Sequence, residues 1–141
     1  MKIKETKYKF LEHTADIKFH AFGKTIEKAF ENSALAMFKS MYEGKIKNKK
    51  SFKINTTGKD FESLLYNFLE EFLFLMDGKN FFLSKVKSIK IDKKNFKLSS
   101  EVIGDNAKNY KIGLDVKAIT YHSMFVKQQK ENWVAQVVVD V

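Results

Sequence analysis

The sequence predicts an α+β fold, a two-layer domain in which two main helices pack on a largely antiparallel β-sheet. Three observations support this class. Two segments carry apolar residues at helical spacing, the other apolar segments alternate with a period of two, and short polar turns separate consecutive strands. With 141 residues, the chain can bury one core but is short for two, so we expect a single domain over residues 1–141.

The N-terminal region predicts two strands followed by a helix. Apolar residues alternate within residues 8–10 and 17–21, and the polar segment EHTAD separates the two runs. Thr25 is a suitable helix N-cap, and Gly44 is expected to end that helix. One face of the helix carries apolar or small residues at spacings of three and four, namely Ile26, Ala29, Phe30, Ser33, Met37, Phe38 and Met41.

The second predicted helix begins after Asp60, a good N-cap, and is expected to stop at Asp77-Gly78. Its apolar residues cover more than half of its circumference, so we expect it to be buried on two sides. Alternating apolar residues predict strands in the remaining segments, with hairpin turns at residues 91–96 and 127–133. These strand segments are SFKIN before the second helix, and FFLSKVKSIKID, NFKLSSEVI, VKAITYHSMFVKQ and NWVAQVVVDV after it.

Composition excludes several classes of protein. The chain has no Cys, so disulfides, thiolate zinc sites and cysteine nucleophiles are excluded. The most apolar segment, FESLLYNFLEEFLFLM, contains three Glu and is too short to span a membrane. The N-terminus lacks the apolar run of a signal peptide, which predicts a cytoplasmic protein without a membrane partner. No Gly-rich phosphate loop, nucleophile elbow, HExxH or EF-hand pattern is present.

The net charge of +9 has two interpretations, because all 26 basic residues are Lys. Arg is the side chain suited to bidentate recognition of phosphate and guanine, and its complete absence weakens the case for a dedicated nucleic-acid reader. The charge therefore indicates either a solvated surface or electrostatic attraction towards RNA or an acidic partner.

Two acids and the C-terminal residue form a candidate metal site. Asp16 lies at the junction of the first two strands, and Asp140 and Val141 end the apolar run VVVDV. If the last strand pairs beside HTAD, these residues supply only oxygen ligands, including the carboxylate of Val141. Such a set suits a hard cation, Ca²⁺ or Mg²⁺, and not zinc. An exposed terminal Asp that binds nothing is the competing interpretation.

Lys117, His122 and His13 are further candidates. Lys117 lies between Val116 and Ala118 in a predicted strand, where it either faces solvent or is placed to meet an anion. A regular strand would put His122 on the opposite face from Lys117. A lone histidine at a strand end is more often a hydrogen-bonded structural residue than a catalyst.

Four segments together resemble the archease family, in the same order and at similar separations over residues 8–141. They are LEHTADIKFHAFGKTIEKAFENSALAMFKSM, LLYNFLEEFLFLMD, VKAITYH and WVAQVVVDV. HTAD with its following helix, and VKAxTYH, are much more specific together than either is alone.

The resemblance implies a protein cofactor and not an enzyme. Archeases assist the GTP-dependent RNA ligase that joins tRNA exon halves, by promoting guanylylation of the ligase and its multiple turnover. The family's cation, calcium, would be bound by Asp16, Asp140 and Val141, with Mg²⁺ as the alternative. The family's activating Lys corresponds to Lys117, and His13 and His122 belong to its two motifs. The resemblance implies contact with tRNA through the ligase, and leaves direct contact with RNA and the oligomeric state open.

Residues 103–115 depart from the family pattern. Many relatives carry a Gly-Glu pair and a turn ending in His or Arg, whereas this chain has Gly104-Asp105 and neither of those turn residues. If the segment contacts the ligase, we expect an altered partner surface. Two other functions stay open from the residues alone: a small basic RNA-binding or chaperone-like module, and a metal-dependent hydrolase built on Asp16, Asp140 and His13. Against the hydrolase, the sequence shows no evident activated nucleophile or general base.

Overall fold

The structure, a computed structural model, describes residues 6–11 and 16–141. Within these residues the chain forms seven strands, two α-helices and one 3₁₀ turn. In chain order they are β1 (Tyr8–Leu11), β2 (Ile17–Gly23), α1 (Ile26–Met41), β3 (Lys50–Thr57), α2 (Phe61–Lys79), β4 (Phe81–Asp92), β5 (Lys97–Asn106), the 3₁₀ turn (Ala107–Asn109), β6 (Ala118–Gln129) and β7 (Asn132–Asp140). None of the helices in this part of the chain is both long enough and apolar enough to cross a membrane.

The predicted α+β class is confirmed, but the strands form two sheets instead of one. The terminal sheet has the order β1-β2-β7-β6, the central sheet has the order β3-β5-β4, and all pairings are antiparallel. Helix α2 contacts β6 of the terminal sheet and both β3 and β4 of the central sheet. A helix that is apolar over most of its circumference needs cover on two sides, and the second sheet provides it.

Both helices begin where the sequence predicts and end elsewhere. Thr25 Oγ1 accepts a hydrogen bond from the N–H of Lys28, and Asp60 forms a reciprocal capping box with Ser63. Helix α1 ends at Met41, before Gly44. Helix α2 continues through Asp77-Gly78 and ends at Lys79. Its C-cap, Asn80, has a left-handed φ of 53° and an N–H that donates to carbonyls of the last turn. Asn tolerates this conformation better than most residues, so Gly is not required.

Aromatic side chains fill the space between the two helices and the central sheet. Phe38 of α1 meets Phe72 of α2 and Phe82 of β4 edge-on, at ring-centroid distances of 5.5 and 4.8 Å. Phe30 and Phe68 connect the helices at 6.1 Å. All five rings are at most 2% exposed, and residues from both sheets belong to the same hydrophobic cluster. Burial of these rings therefore couples the two sheets through the helices.

Gly104 and Asp105, which stand where many relatives carry a Gly-Glu pair, both have structural roles. Gly104 pairs with Lys50 on one side and Leu83 on the other, and a Cβ atom there would overlap the carbonyl oxygen of Phe82. Close approach of backbone to backbone explains this glycine.

The carboxylate of Asp105 ties the end of β5 to the following turn. It accepts hydrogen bonds from the N–H of Asn106 at 2.7 Å, the hydroxyl of Tyr110 at 2.8 Å and the side-chain amide of Asn109 at 3.4 Å. The Tyr110 oxygen in turn accepts from the N–H of Lys47 at 2.8 Å. These hydrogen bonds, that of Asn106 first, hold the pKa of Asp105 below its usual value of 3.8.

Asp105→Asn is expected to lower the free energy of unfolding most at neutral pH. Because the folded-state pKa is depressed, the carboxylate's contribution is complete above pH 3.8 and is lost as pH falls through the lowered pKa. The difference between wild type and variant should therefore shrink in urea denaturation curves recorded from pH 7 down to pH 3. Asp115→Asn, at an exposed carboxylate, is the control. A wild-type advantage that stays constant over this range would contradict the assignment.

Candidate metal and partner site

One end of the terminal sheet brings together three of the predicted site residues. Strand β2 pairs with β7 with Ile17 opposite Val139, and β6 pairs with β7 with Ala118 opposite Asp140. Extending the first register by one residue places Asp16 opposite Asp140. The start of β2, the end of β7 and the start of β6 therefore meet at the same end of the terminal sheet.

Lys117 is joined to this end through its backbone. Its N–H donates to the carbonyl oxygen of Asp140 at 2.8 Å, and its side chain is exposed. The sequence predicted Lys117 inside a strand. In the structure it immediately precedes β6, which begins at Ala118. The backbone of Lys117 is thus held beside Asp140, while its side chain, which carries the ammonium group, stays available to a partner.

The polypeptide passes from core to solvent at Asp140. The six residues before it, from Val134 to Val139, are buried, whereas Asp140 is exposed and Asp16 and Val141 are half-buried. The Asp140 carboxylate therefore keeps its hydration and carries little of the cost of burying a charge. A cavity of about 500 Å³ adjoins Asp16 and reaches the C-terminal end of α1, where Lys39 and Glu43 also line it.

The oxygen donors at this end suit a hard cation better than a soft one. Asp16 and Asp140 are the two side-chain carboxylates, and Val141 follows directly. In residues 6–11 and 16–141, no group of three or more His, Cys, Asp or Glu is arranged to hold a metal. An ion bound by these two carboxylates would complete its coordination with backbone, water or partner oxygens. His13 lies outside the described residues.

His122 does not lie in a regular strand. The pairing of β6 with β7 shifts between Thr120 and Phe125, so residues 121–124 form a bulge in which His122 is exposed. Ser123 has a left-handed φ of 59°, and its carbonyl accepts from the side chain of Gln136 at 2.6 Å. The regular strand on which the predicted alternation of faces between Lys117 and His122 depended is therefore absent, because the bulge breaks the period of two.

Sequence reasoning missed a stacked tyrosine pair next to His122. The rings of Tyr66 on α2 and Tyr121 in the bulge lie 4.2 Å apart and nearly parallel, and Tyr121 is 52% exposed. Burial, and then the charges of Asp60 and Glu70, raise the pKa of Tyr121. An aromatic residue at position 66, outside the main apolar face of α2, was the one local signal.

We call the end of the terminal sheet that carries Asp16, Asp140 and Val141 the acidic end. The fold and this end, with Lys117 beside it, define a small α+β protein. A family model described as the Archease protein family (MTH1598/TM1083) matches residues 8–141. The protein archease of Methanosarcina acetivorans is 36% identical over 140 residues, covering 96% of each chain. The archease-like protein of Drosophila melanogaster is 37% identical over 143 residues, covering 97% of this chain and 92% of its own.

Solved structures agree with these matches. The solution structure of Protein 1598 of Methanobacterium thermoautotrophicum superposes with a TM-score of 0.80 at 32% identity, covering 96% of this chain and 99% of that one. The crystal structure of a Thermotoga maritima protein described as an archease and possible chaperone has a TM-score of 0.65 at 17% identity, with 100% and 99% coverage, and supports the fold alone. This chain belongs to the archease family.

Proposed function

We propose that this protein is a non-catalytic cofactor that activates the GTP-dependent tRNA-splicing RNA ligase in the cytoplasm. It would promote guanylylation of the ligase and allow repeated turnover. The observation that supports this function is the meeting of Asp16, Asp140 and Lys117 at one end of the terminal sheet. These residues are far apart in sequence, and they are the ones to which the family resemblance assigns metal binding and activation.

In this proposal the acidic end binds one divalent cation. Asp16 and Asp140 supply carboxylate oxygens and Val141 supplies a further oxygen. Calcium is the preferred ion because it accepts an irregular, partly hydrated oxygen shell, whereas Mg²⁺ requires near-octahedral geometry. The bound cation would offset the mutual repulsion of the two carboxylates and present positive charge at the surface.

Lys117 is proposed to contact an anionic group of the ligase. Guanylylation brings phosphate charge and metal ions together, and a cation placed against that charge stabilises the arrangement in which transfer occurs. The protein would act by binding the transfer-competent conformation of the ligase more tightly than other conformations. In this proposal His13 and His122 also contribute to partner binding, as the family resemblance implies.

A guanylylation assay with the purified cognate ligase tests the proposal. Ligase, labelled GTP and divalent metal are incubated with and without this protein, and the labelled ligase is quantified over time. We expect faster and more complete labelling, and more than one ligation per ligase molecule with a split tRNA substrate. If the protein leaves both the labelling rate and the turnover number unchanged, the proposed function is wrong.

Calcium binding is expected to weaken by more than about tenfold in Asp16→Asn, because the number of charged ligands sets the affinity of such sites. Isothermal titration of calcium into wild type and variant measures this. Asp77→Asn, which removes a charge at the far end of α2, should bind as wild type does. Equal titration curves for wild type and Asp16→Asn would remove Asp16 from the site.

A further inference from the structure

A lysine-lined cleft lies at the end of the terminal sheet opposite the acidic end. Its volume is about 880 Å³, and it is enclosed by the start of the described chain, the β2–α1 connection, the first turn of α1 and the β6–β7 turn. Four lysines line it: Lys7, Lys9, Lys24 and Lys28.

The lining of this cleft carries more positive than negative charge. Glu131 is the single carboxylate among its lining residues. Lys28 also pairs with Glu31 at 3.2 Å, yet its side chain is still 59% exposed. By contrast, the cavity beside Asp16 is lined by one lysine and two acids. The cleft is therefore electropositive, and it attracts anions more strongly than the net charge alone requires.

The backbone that carries these lysines is firmly held. The carbonyl of Lys7 accepts from the N–H of Phe22 at 2.9 Å, and the buried side chain of Asn32 donates to the carbonyl of Phe22 at 2.6 Å. Gly23 packs so closely on α1 that an added Cβ would lie 2.5 Å from the backbone nitrogen of Ala29. The ammonium groups thus extend from a fixed frame, and a ligand need not order the backbone on binding.

The remaining lining residues favour a nucleic acid over an acidic peptide. Phe22 offers an aromatic surface on which a base can stack, and Thr6 and Asn132 offer a hydroxyl and an amide for phosphate and sugar oxygens. Lysines act as point charges that bind phosphate without reading bases. We infer that the cleft binds the phosphate backbone of single-stranded RNA without sequence preference.

This inference does not depend on the proposed activation of a ligase. Strand β2 spans seven residues between the two ends of the sheet, which corresponds to about 23 Å at roughly 3.3 Å per residue. Contacts at the acidic end and at the cleft could therefore be made at the same time by different molecules, or by different parts of one assembly. Either can fail experimentally without the other.

Fluorescence anisotropy with a labelled 12-nucleotide oligouridine RNA, at 50 to 200 mM KCl, tests the cleft. The triple variant Lys7→Ala/Lys9→Ala/Lys28→Ala is expected to bind at least about tenfold more weakly at 50 mM KCl. Its slope of log affinity against log salt should be shallower by about two, since each single-strand phosphate contact contributes roughly 0.7. These three side chains are exposed, so thermal melts should match wild type.

The matched control is Lys79→Ala/Lys85→Ala/Lys93→Ala, which removes the same charge from exposed positions outside the cleft. It is expected to retain nearly wild-type affinity and slope. Equal losses in both triple variants would show diffuse attraction and overturn the cleft assignment. Competition by polyglutamate at the same concentration of charges should be weak, and competition as strong as that of unlabelled RNA would overturn the choice of RNA as the ligand.

Discussion

Lys117→Ala is expected to abolish stimulation of ligase guanylylation while leaving the protein folded. The Lys117 side chain is exposed, and the hydrogen bond that joins this residue to Asp140 comes from its backbone N–H, which Ala retains. The substitution thus removes the proposed contact with an anionic group of the ligase and little else. The measurement is the initial rate of ligase labelling with GTP, at saturating wild-type or variant protein.

Two further variants make this test specific. Lys93→Ala removes an equal charge from another exposed position and should stimulate as wild type does. Lys117→Arg keeps the charge but changes the geometry of the donors, so partial activity is expected. Full stimulation by a correctly folded Lys117→Ala protein would exclude the proposed role of Lys117.

Gly104→Ala is expected to be the most destabilising of the single substitutions considered for the fold. The new methyl group would overlap the carbonyl oxygen of Phe82 in the neighbouring strand, and the ring of Phe81 lies 2.8 Å from the same point. Strand pairing on both sides of Gly104 leaves the backbone little room to move. Overpacking of this kind costs about 1 to 3 kcal/mol, which urea denaturation would show as a lower midpoint.

Gly78→Ala is the matched control for the same chemical change. No atom lies within 4 Å of a Cβ built at Gly78, which is in the last turns of α2. Ala there should raise the free energy of unfolding by about 0.5 to 1 kcal/mol, because the unfolded chain loses conformational freedom. If Gly104→Ala proved as stable as wild type, the close approach of β5 to β4 at this position would be wrong.

Interactions between close neighbours in the chain could be predicted well. The caps at Thr25 and Asp60 depend on hydrogen bonds between residues three positions apart in the sequence, and the structure contains both. Turns lie within both predicted segments, at residues 93–96 between β4 and β5 and at residues 130–131 between β6 and β7. The end of α2 could not be placed from local signals, because Asn80 adopts a conformation for which Gly is the commoner residue.

By itself, the sequence determined the α+β class, the two helices, most strands and the motifs by which the chain resembles the archease family. Only the tertiary structure decided that the strands divide into two sheets, that β6 bulges at residues 121–124, and that the starts of β2 and β6 both pair with the end of β7. The physical reason is range. Alternation, helical spacing and capping report on residues a few positions apart, whereas register and sheet membership follow from burying apolar surface between segments that are distant in sequence, more than 100 residues apart for β2 and β7.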